Sequence, residues 1–396
     1  MTRVLVIGGG VAGTTTALAL HKAGCDVSVY EAHPGSAEDI GAFLTLASNG
    51  MLALAQIDAS EAVTAAGFPL TSMRVLDGAG TEVVQRPLGE ADNPILRYRC
   101  LRRGELNAAL QAEAVRRGIS IRHGASLASV QDGPDDVIAH FTDGSATAGD
   151  LLIGADGLNS TVRRAIAPAT QPCYAGECVF YGYTTSIPPA EEADDERITM
   201  VRGSAAAFGY AVSPGGQTYW FARVAGERLG ADEIAHGTPG QWRDLLLPLL
   251  RDDATAAAGI VAATTDGILV TNATEIPTGA PWRSGRMLLV GDAAHAASPA
   301  TGQGASMAME DAVVLAKALR DAPDTDTALF VYETLRRPRV EHNTTVSGNI
   351  SRGVHTSSRA GQAPAARPDE EPARLLEWNS HIGMSQPGAP VIGEGP

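Results

Sequence analysis

Three glycines spaced G-x-G-x-x-G, at Gly8, Gly10 and Gly13, follow directly on the apolar run Val4 to Ile7. A carboxylate, Glu31, stands eighteen residues past Gly13. This pattern suits the diphosphate of an adenine dinucleotide. Gly8 allows a tight turn, Gly10 a close approach of backbone to pyrophosphate, and Gly13 close packing of helix on strand, with Val11 and Ala12 supplying the amides between. A helix starting at the turn aims free N–H groups and the positive end of its dipole at the phosphates. Glu31 can accept hydrogen bonds from a ribose and would repel a 2′-phosphate, so the ligand is of the FAD or NAD kind rather than NADP.

Two further groupings have chemical potential. In the segment Asp150 to Arg164, Asp156 and Gly157 end an apolar run, and Asn159 or Ser160 starts a helix. An ordinary N-capped strand-to-helix turn would look the same. Later, Gly291, Asp292 and His295 are followed by Pro299, Thr301, Gly302, Gln303 and Gly304. There a carboxylate at a strand end offers an acceptor for sugar-type hydroxyls, and the glycine-containing loop opens a second helix N-terminus toward an electron-rich group.

The elements that must position these residues follow from patterning. Val4 to Ile7, the helical stretch from Thr14 to Ala23 and Asp26 to Tyr30 form a βαβ unit. Ser72 to Leu76 and Glu82 to Val84 are strand-like, and residues 99 to 118 read as a helix with Leu106, Leu110 and Ala114 on one face. Between about 166 and 284, Tyr181 to Thr185, Ile198 to Arg202, Phe208 to Val212 and Thr218 to Val224 alternate as half-buried strands do, which predicts an antiparallel sheet rich in aromatic residues. Such a face is either core or a binding wall. Residues 286 to 292 read as a buried strand, and Gly302 to Asp321 and Leu329 to Asn349 as helices. The expected architecture is α/β: a discontinuous Rossmann-like dinucleotide domain (1–70, 96–165 and 285–350), an antiparallel-sheet substrate domain (71–95 and 166–284), and a partly disordered tail (351–396).

The 396 residues suffice for two or three domains, and 44 % are hydrophobic. A formal net charge of −15 argues against a nucleic-acid partner. Cys25, Cys100, Cys173 and Cys178 form neither a disulfide framework nor a zinc pattern, so reduced thiols and no metal are expected. Gly8 to Gly10 interrupt the N-terminal apolar run, unlike a secretory leader, and no run is long enough to span a membrane. A cytoplasmic protein with no membrane partner is the expectation.

The three groupings in this order resemble the single-component FAD-dependent aromatic hydroxylases, the para-hydroxybenzoate hydroxylase type, over roughly residues 1 to 350. Arg103, in Leu101-Arg102-Arg103-Gly104-Glu105-Leu106, matches the arginine-x-x-leucine segment whose arginine contacts the flavin side of FAD. The resemblance implies non-covalent FAD, with Gly8, Gly10 and Gly13 at the pyrophosphate, Glu31 at the adenosine ribose and Asp292 at the ribityl chain. It places Pro299 and the backbone of Gly302, Gln303 and Gly304 at the pyrimidine edge of the flavin. Asp156 and Gly157 would support FAD and the nicotinamide. The histidine matching His295 is mainly structural in that family, so no side chain is assigned a catalytic role.

What the resemblance further implies is an oxidoreductase that uses NADH or NADPH as a transient reductant and dioxygen as oxidant. A C4a-hydroperoxyflavin would then hydroxylate or epoxidise a planar aromatic small molecule, as in secondary metabolism. A dry pocket must cover the flavin. Phe43, Tyr183, Phe208, Tyr210, Trp220 and Pro299 are the expected wall. A flavin oxidase or dehydrogenase, or a non-catalytic FAD-binding protein, would share the fold, and a monomer or homodimer is compatible with the chain.

Overall fold

The strand Arg3–Ile7 lies at the heart of a six-stranded sheet, with Val4 to Ile7 no more than 3 % exposed. Burial of both faces is what a parallel sheet under helices demands, and an unbroken apolar run satisfies it. In this computed structural model, describing residues 1–35, 41–90, 92–185, 196–354, 373–386 and 389–393, Arg3–Ile7 pairs in parallel with Asp26–Tyr30 on one side and Leu151–Gly154 on the other. Met287–Leu289 extends the sheet beyond Leu151–Gly154, and Ser120–Arg122 beyond Asp26–Tyr30. The helix Val11–Lys22 packs on this sheet and against Gly304–Asp321. The latter is buried at every position from Ser306 to Ala318, as a helix enclosed on all sides must be.

The second sheet has seven strands in the order Leu269–Glu275, Cys173–Thr184, Thr218–Ala225, Ala207–Val212, Arg197–Arg202, Ser72–Asp77 and Glu82–Pro87. The antiparallel expectation needs one correction: Arg197–Arg202 and Ser72–Asp77 run parallel, because the chain enters this sheet early, leaves, and returns in the same direction. One face packs on Pro239–Leu250 and Ala257–Ala262 through Phe180, Phe208, Trp220, Trp242 and Leu246. The other looks toward a small sheet of Phe43–Leu46, Tyr98–Arg102 and Phe68–Leu70.

Residues 99 to 118 are not one helix. Tyr98–Arg102 is the middle strand of the small sheet, and the helix runs from Arg103 to Arg116, so Arg103 marks the junction. Part of the tail docks on the fold, with a short helix Ala373–Leu376. Leu375, Leu376 and Ile382 belong to the main core, and the Lys317 ammonium donates to the carbonyls of Leu375 and Glu377 and to Ser380 Oγ at 2.7, 2.5 and 2.8 Å. A few apolar anchors set among polar residues hide such docking from a composition argument. Among the described residues no helix is long and apolar enough to cross a membrane, and no group of His, Cys, Asp or Glu side chains could hold a metal.

Candidate functional site

At the end of Arg3–Ile7 the backbone turns under steric rules that only glycine meets. Gly8 has φ +103°, and a Cβ there would lie 2.4 Å from the Ala155 carbonyl oxygen. At Gly13 it would lie 1.8 Å from the Gly8 oxygen. Gly10 differs, since a Cβ there would meet no atom within 4 Å. The fold therefore does not require glycine at position 10, and the helix start there is open to an approaching group. The helix Val11–Lys22 has no side-chain cap and no acid in its first turn, which leaves its leading N–H groups for an anion.

Glu31 is bound into this turn. Its Oε2 accepts from the Gly9 N–H at 2.5 Å and its Oε1 from the His33 N–H at 2.7 Å. An ionised carboxylate has about four acceptor positions, so two remain for a ribose. On the other side of the turn, the Gly9 carbonyl accepts from Gln111 Nε2 at 2.6 Å and from Thr14 Oγ1 at 2.9 Å. Neither Gln111 nor Thr14 stands out in the sequence. Only the placement of helix Arg103–Arg116 turns the buried Gln111 toward Gly9.

Across the sheet, Arg103 Nη2 comes to 4.0 Å from Asp292 Oδ2, and both side chains are largely open to solvent. Gly41 sits against the Arg103 side chain, and Thr45 Oγ1 is 3.3 Å from where a Cβ of Gly302 would be. The segment 41–45, Arg103, Asp292 and the loop at Gly302 thus share one neighbourhood. Pro299–Thr301 is a single 3₁₀ turn, and Gly302, at φ +67°, leads into the helix Gly304–Asp321. Of the Gln303 side chain, the structure makes a structural tie: its Oε1 accepts from Asn49 Nδ2 at 3.1 Å inside the core.

Beneath that loop lies a buried ionic network. Arg336 contacts Glu310 at 2.7 Å and Asp311 at 2.9 Å, Arg339 binds both Glu310 oxygens, and Asn49 donates to Glu310 at 2.5 Å. Asp311 Oδ2 accepts from His295 Nε2 at 2.6 Å and from the Gly291 N–H at 3.2 Å. Burial pushes the Asp311 carboxyl up, but His295 and Arg336 outweigh it and hold the group at about 2. His295 is buried and committed to Asp311.

Asp156 is also committed. Its Oδ1 accepts from Ser160 Oγ at 2.5 Å, and its Oδ2 from the N–H groups of Thr161 and Val162 at 2.7 and 3.1 Å. Ser160 is the N-cap of Thr161–Ile166, accepting from the Arg163 N–H. The N-cap alternative therefore describes this carboxylate, and direct cofactor contact by Asp156 is not what its geometry favours. Arg163, buried, donates to the Ala293 carbonyl at 3.0 Å and so ties this turn to the one carrying Asp292.

The expected pocket wall divides between two faces of the large sheet. Phe208, Tyr210 and Trp220 are at most 2 % exposed and belong to the core under Pro239–Leu250, with Phe208 stacked on Trp220 at 5.6 Å. Alternation along a strand sends neighbouring residues to opposite faces, so Tyr219 and Phe221 take the inner one. Phe43 meets Tyr181, Tyr183, Tyr219 and Phe221 at centroid distances of 5.6 to 6.3 Å. Gly209 makes room there, because a Cβ would lie 2.5 Å from the Phe221 ring. Burial pushes the Tyr181 phenol up to about 12, and Tyr183 Oη is buried without a hydrogen-bond partner among the described residues. Arg102 closes one end of the face: its guanidinium lies 4.3 Å from the Tyr183 ring and donates to Gln217 Oε1 at 2.9 Å.

Three comparisons bear on this arrangement. A family model described as "FAD binding domain" matches residues 1–347. The aurachin C monooxygenase/isomerase of Stigmatella aurantiaca is 31 % identical over 351 residues, 88 % of each chain. Kynurenine 3-monooxygenase of Salinispora tropica is 30 % identical across 96 % of this chain and 87 % of its own. Among solved structures, Klebsiella pneumoniae HpxO complexed with FAD and uric acid superposes with a TM-score of 0.80 at 28 % identity, covering 90 % of both chains.

Proposed function

The chain belongs to the FAD-binding-domain family of aromatic-hydroxylase-type monooxygenases, and from that premise we propose that it hydroxylates or epoxidises a planar aromatic small molecule at the inner aromatic face, using FAD, NAD(P)H and dioxygen. One chain of contacts supports the reading: a Cβ at Gly291 would lie 2.7 Å from Ala12 at the helix start, the neighbouring Asp292 lies 4.0 Å from Arg103, and Arg103 acts on the Tyr181 phenol of the aromatic face. When bound, FAD supplies the two-electron transfer from NAD(P)H and the delivery of one oxygen atom from dioxygen to the substrate, the other leaving as water.

The residues fit that cofactor. The backbone of Gly8, Gly10, Val11, Ala12 and Gly13 would hold the pyrophosphate, Glu31 with its spare acceptor positions the ribose, and Asp292 a ribityl hydroxyl. Arg103 would lie along the flavin side. Pro299, Gly302, Gln303 and Gly304 would present a helix N-terminus to its pyrimidine edge, where positive dipole favours added electrons. Asp156 and Gly157 would act on the cofactor through the fold, by fixing the turn beside Arg163. The rings of Phe43, Tyr181, Tyr219 and Phe221 would exclude water from the reacting centre and set the substrate plane. We take 1–70, 96–165 and 285–350 as the FAD-binding unit and 71–95 with 166–284 as the substrate unit; membership of the two sheets supports that division.

The test is a flavin-reconstituted preparation of the whole chain, challenged with aromatic acids, phenols and quinolones while NAD(P)H oxidation is followed. A productive ligand should accelerate oxidation and acquire one atom of labelled dioxygen. Peroxide formation without label in any product, or failure to retain FAD, would sink the proposal.

A further inference from the structure

The inner face carries a charged group that the cofactor cradle does not use. Arg223 lies on Thr218–Ala225, two residues beyond Phe221, opposite Val179. Its side chain is only 13 % exposed, and its Nε and Nη1 are closed off with no hydrogen-bond acceptor among the described residues, Nη1 being held only by a long ion pair. The nearest carboxylate oxygen, Glu177 Oε1, is 3.5 Å from Nη1. That oxygen already accepts from Ser351 Oγ at 2.7 Å and from Ser298 Oγ at 3.4 Å. A buried guanidinium with its donors unmade is costly, and evolution of a fold seldom leaves it so without an acceptor to meet.

Its position says where that acceptor comes from. Ser298, linked to Glu177, immediately precedes Pro299, so Arg223 stands at the end of the aromatic face next to the loop assigned to the flavin. Arg103 and Arg223 both act on the Tyr181 phenol, against burial and Glu177, which puts all of them around one ring. Arg102 at the opposite end is already engaged by Gln217 and by the Tyr183 ring. Tyr219 and Arg223 are four residue steps apart along the strand, about 13 Å, enough for one or two fused rings.

Resting on the monooxygenase reading above, we propose that Arg223 is the substrate-anchoring residue, whose guanidinium receives an oxygen borne on the substrate's ring system, a carboxylate or a ring carbonyl, while Tyr181 and Phe221 lie against the ring. No hydrogen bond opposes a small turn of the guanidinium toward the face, and its planar fork pairs naturally with two lone pairs of such oxygens. Glu177, held by Ser351 and Ser298, aims the arginine.

The experiment uses two probe pairs that differ by the oxygen group alone: 3-amino-4-hydroxybenzoate against 2-aminophenol, and 2-heptyl-4(1H)-quinolone against 2-heptylquinoline. Binding to the FAD-loaded chain is read from the shift of the flavin visible spectrum, without NAD(P)H. In the unaltered protein at least one oxygenated probe should bind tenfold or more tighter than its partner. Arg223→Gln should bring that ratio toward one, with Arg223→Lys between and FAD retained in both. A merely structural arginine would weaken both members of a pair equally and leave the ratio intact. No tenfold preference in either pair, or a preference that survives Arg223→Gln, overturns the proposal. Oxygen incorporation is scored separately, so a chain that shows the preference but never oxygenates keeps the anchor and loses the reaction.

Discussion

At the glycine turn the proposed binding surface is the backbone itself, whereas on the aromatic face every contact with a ligand would come from a side chain. Around the turn the polar atoms not aimed at the ligand are matched: Gly9 donates to Glu31 and accepts from Gln111 and Thr14. On the face, rings meet edge to face, while Tyr183 Oη and the Nε and Nη1 of Arg223 have no hydrogen-bond partner among the described residues. A surface made of backbone can serve one ligand and tolerates little change. A surface made of side chains can be retuned for different substrates while the cradle stays the same. The curated relatives, which share the family and carry names with different substrates, fit that division of labour.

The largest effect expected is at the floor of the cradle. Asp311→Asn removes the carboxylate that joins His295, Arg336 and the Gly291 N–H, leaving a buried arginine short of a partner. Losing one member of a buried pair costs about 3–5 kcal/mol, which denaturant unfolding of the cofactor-free protein would report. The pH dependence has a definite sign. Because the folded-state value is depressed to about 2, the Asp311 contribution is fully present above about 4 and is lost as pH falls from there toward 2. Asp311→Asn should flatten that acid limb, and an unchanged limb would show that other carboxylates dominate it.

The next pair bears on the comparison directly. Gly13→Ala would drive a Cβ to 1.8 Å from the Gly8 oxygen, so the backbone itself must move. A loss of about 1–3 kcal/mol in the cofactor-free protein is expected from such overpacking. Gly10→Ala meets no atom within 4 Å and should leave that stability nearly unchanged while weakening FAD retention. If both variants lose stability alike, Gly10 serves the fold rather than the ligand.

How much of this was legible in the sequence follows the same line. Gly8, Gly10, Gly13 and Glu31 were readable because a turn, a helix start and the end of the next strand are set by residues close together in the chain. The inner face was readable only to within a choice of side. Alternation separates Phe208, Tyr210 and Trp220 from Ala207, Gly209 and Ala211, or Trp220 from Tyr219 and Phe221, but helices Pro239–Leu250 and Ala257–Ala262 decide which set is core. Arg223, a charged residue near the end of a strand, carries no local mark of burial. Gln111 and the docked Leu375 and Leu376 were silent for the same reason, since their partners lie far away in sequence.

A smaller effect tests the choice of side. Phe208→Leu should cost at most about 1.5 kcal/mol, as a hydrophobic exchange of moderate volume change in a packed core, and leave ligand-induced flavin shifts intact. Phe221→Leu, whose ring packs toward Phe43, should change those shifts while moving stability less. The reverse outcome would return the binding wall to the Trp220 side.

The smallest effect on the fold, and the most telling for the cradle, is expected at Asp292. Its contact with Arg103 is long, 4.0 Å, and both side chains are substantially exposed, 44 % and 61 %. Exposed pairs of that kind contribute about 0–1 kcal/mol, so Asp292→Asn should leave the cofactor-free protein as stable as before. The carboxylate sits at the first position of the short helix Asp292–His295, beside the buried Ala293 and Ala294, so its backbone is fixed whatever its side chain does. A group that is firmly placed, weakly paired and open has no visible task in the fold alone; accepting from a ribityl hydroxyl would give it one. Replacing a charged acceptor by an amide should therefore weaken FAD affinity by roughly 1.5–3 kcal/mol, the scale of hydrogen bonds to charged groups. Equilibrium dialysis against FAD, alongside thermal unfolding of the stripped protein, separates the two readings. Lost stability with unchanged affinity would make Asp292 a partner of Arg103 and nothing more, and the resemblance between cradle and face would then be closer than their atoms suggest.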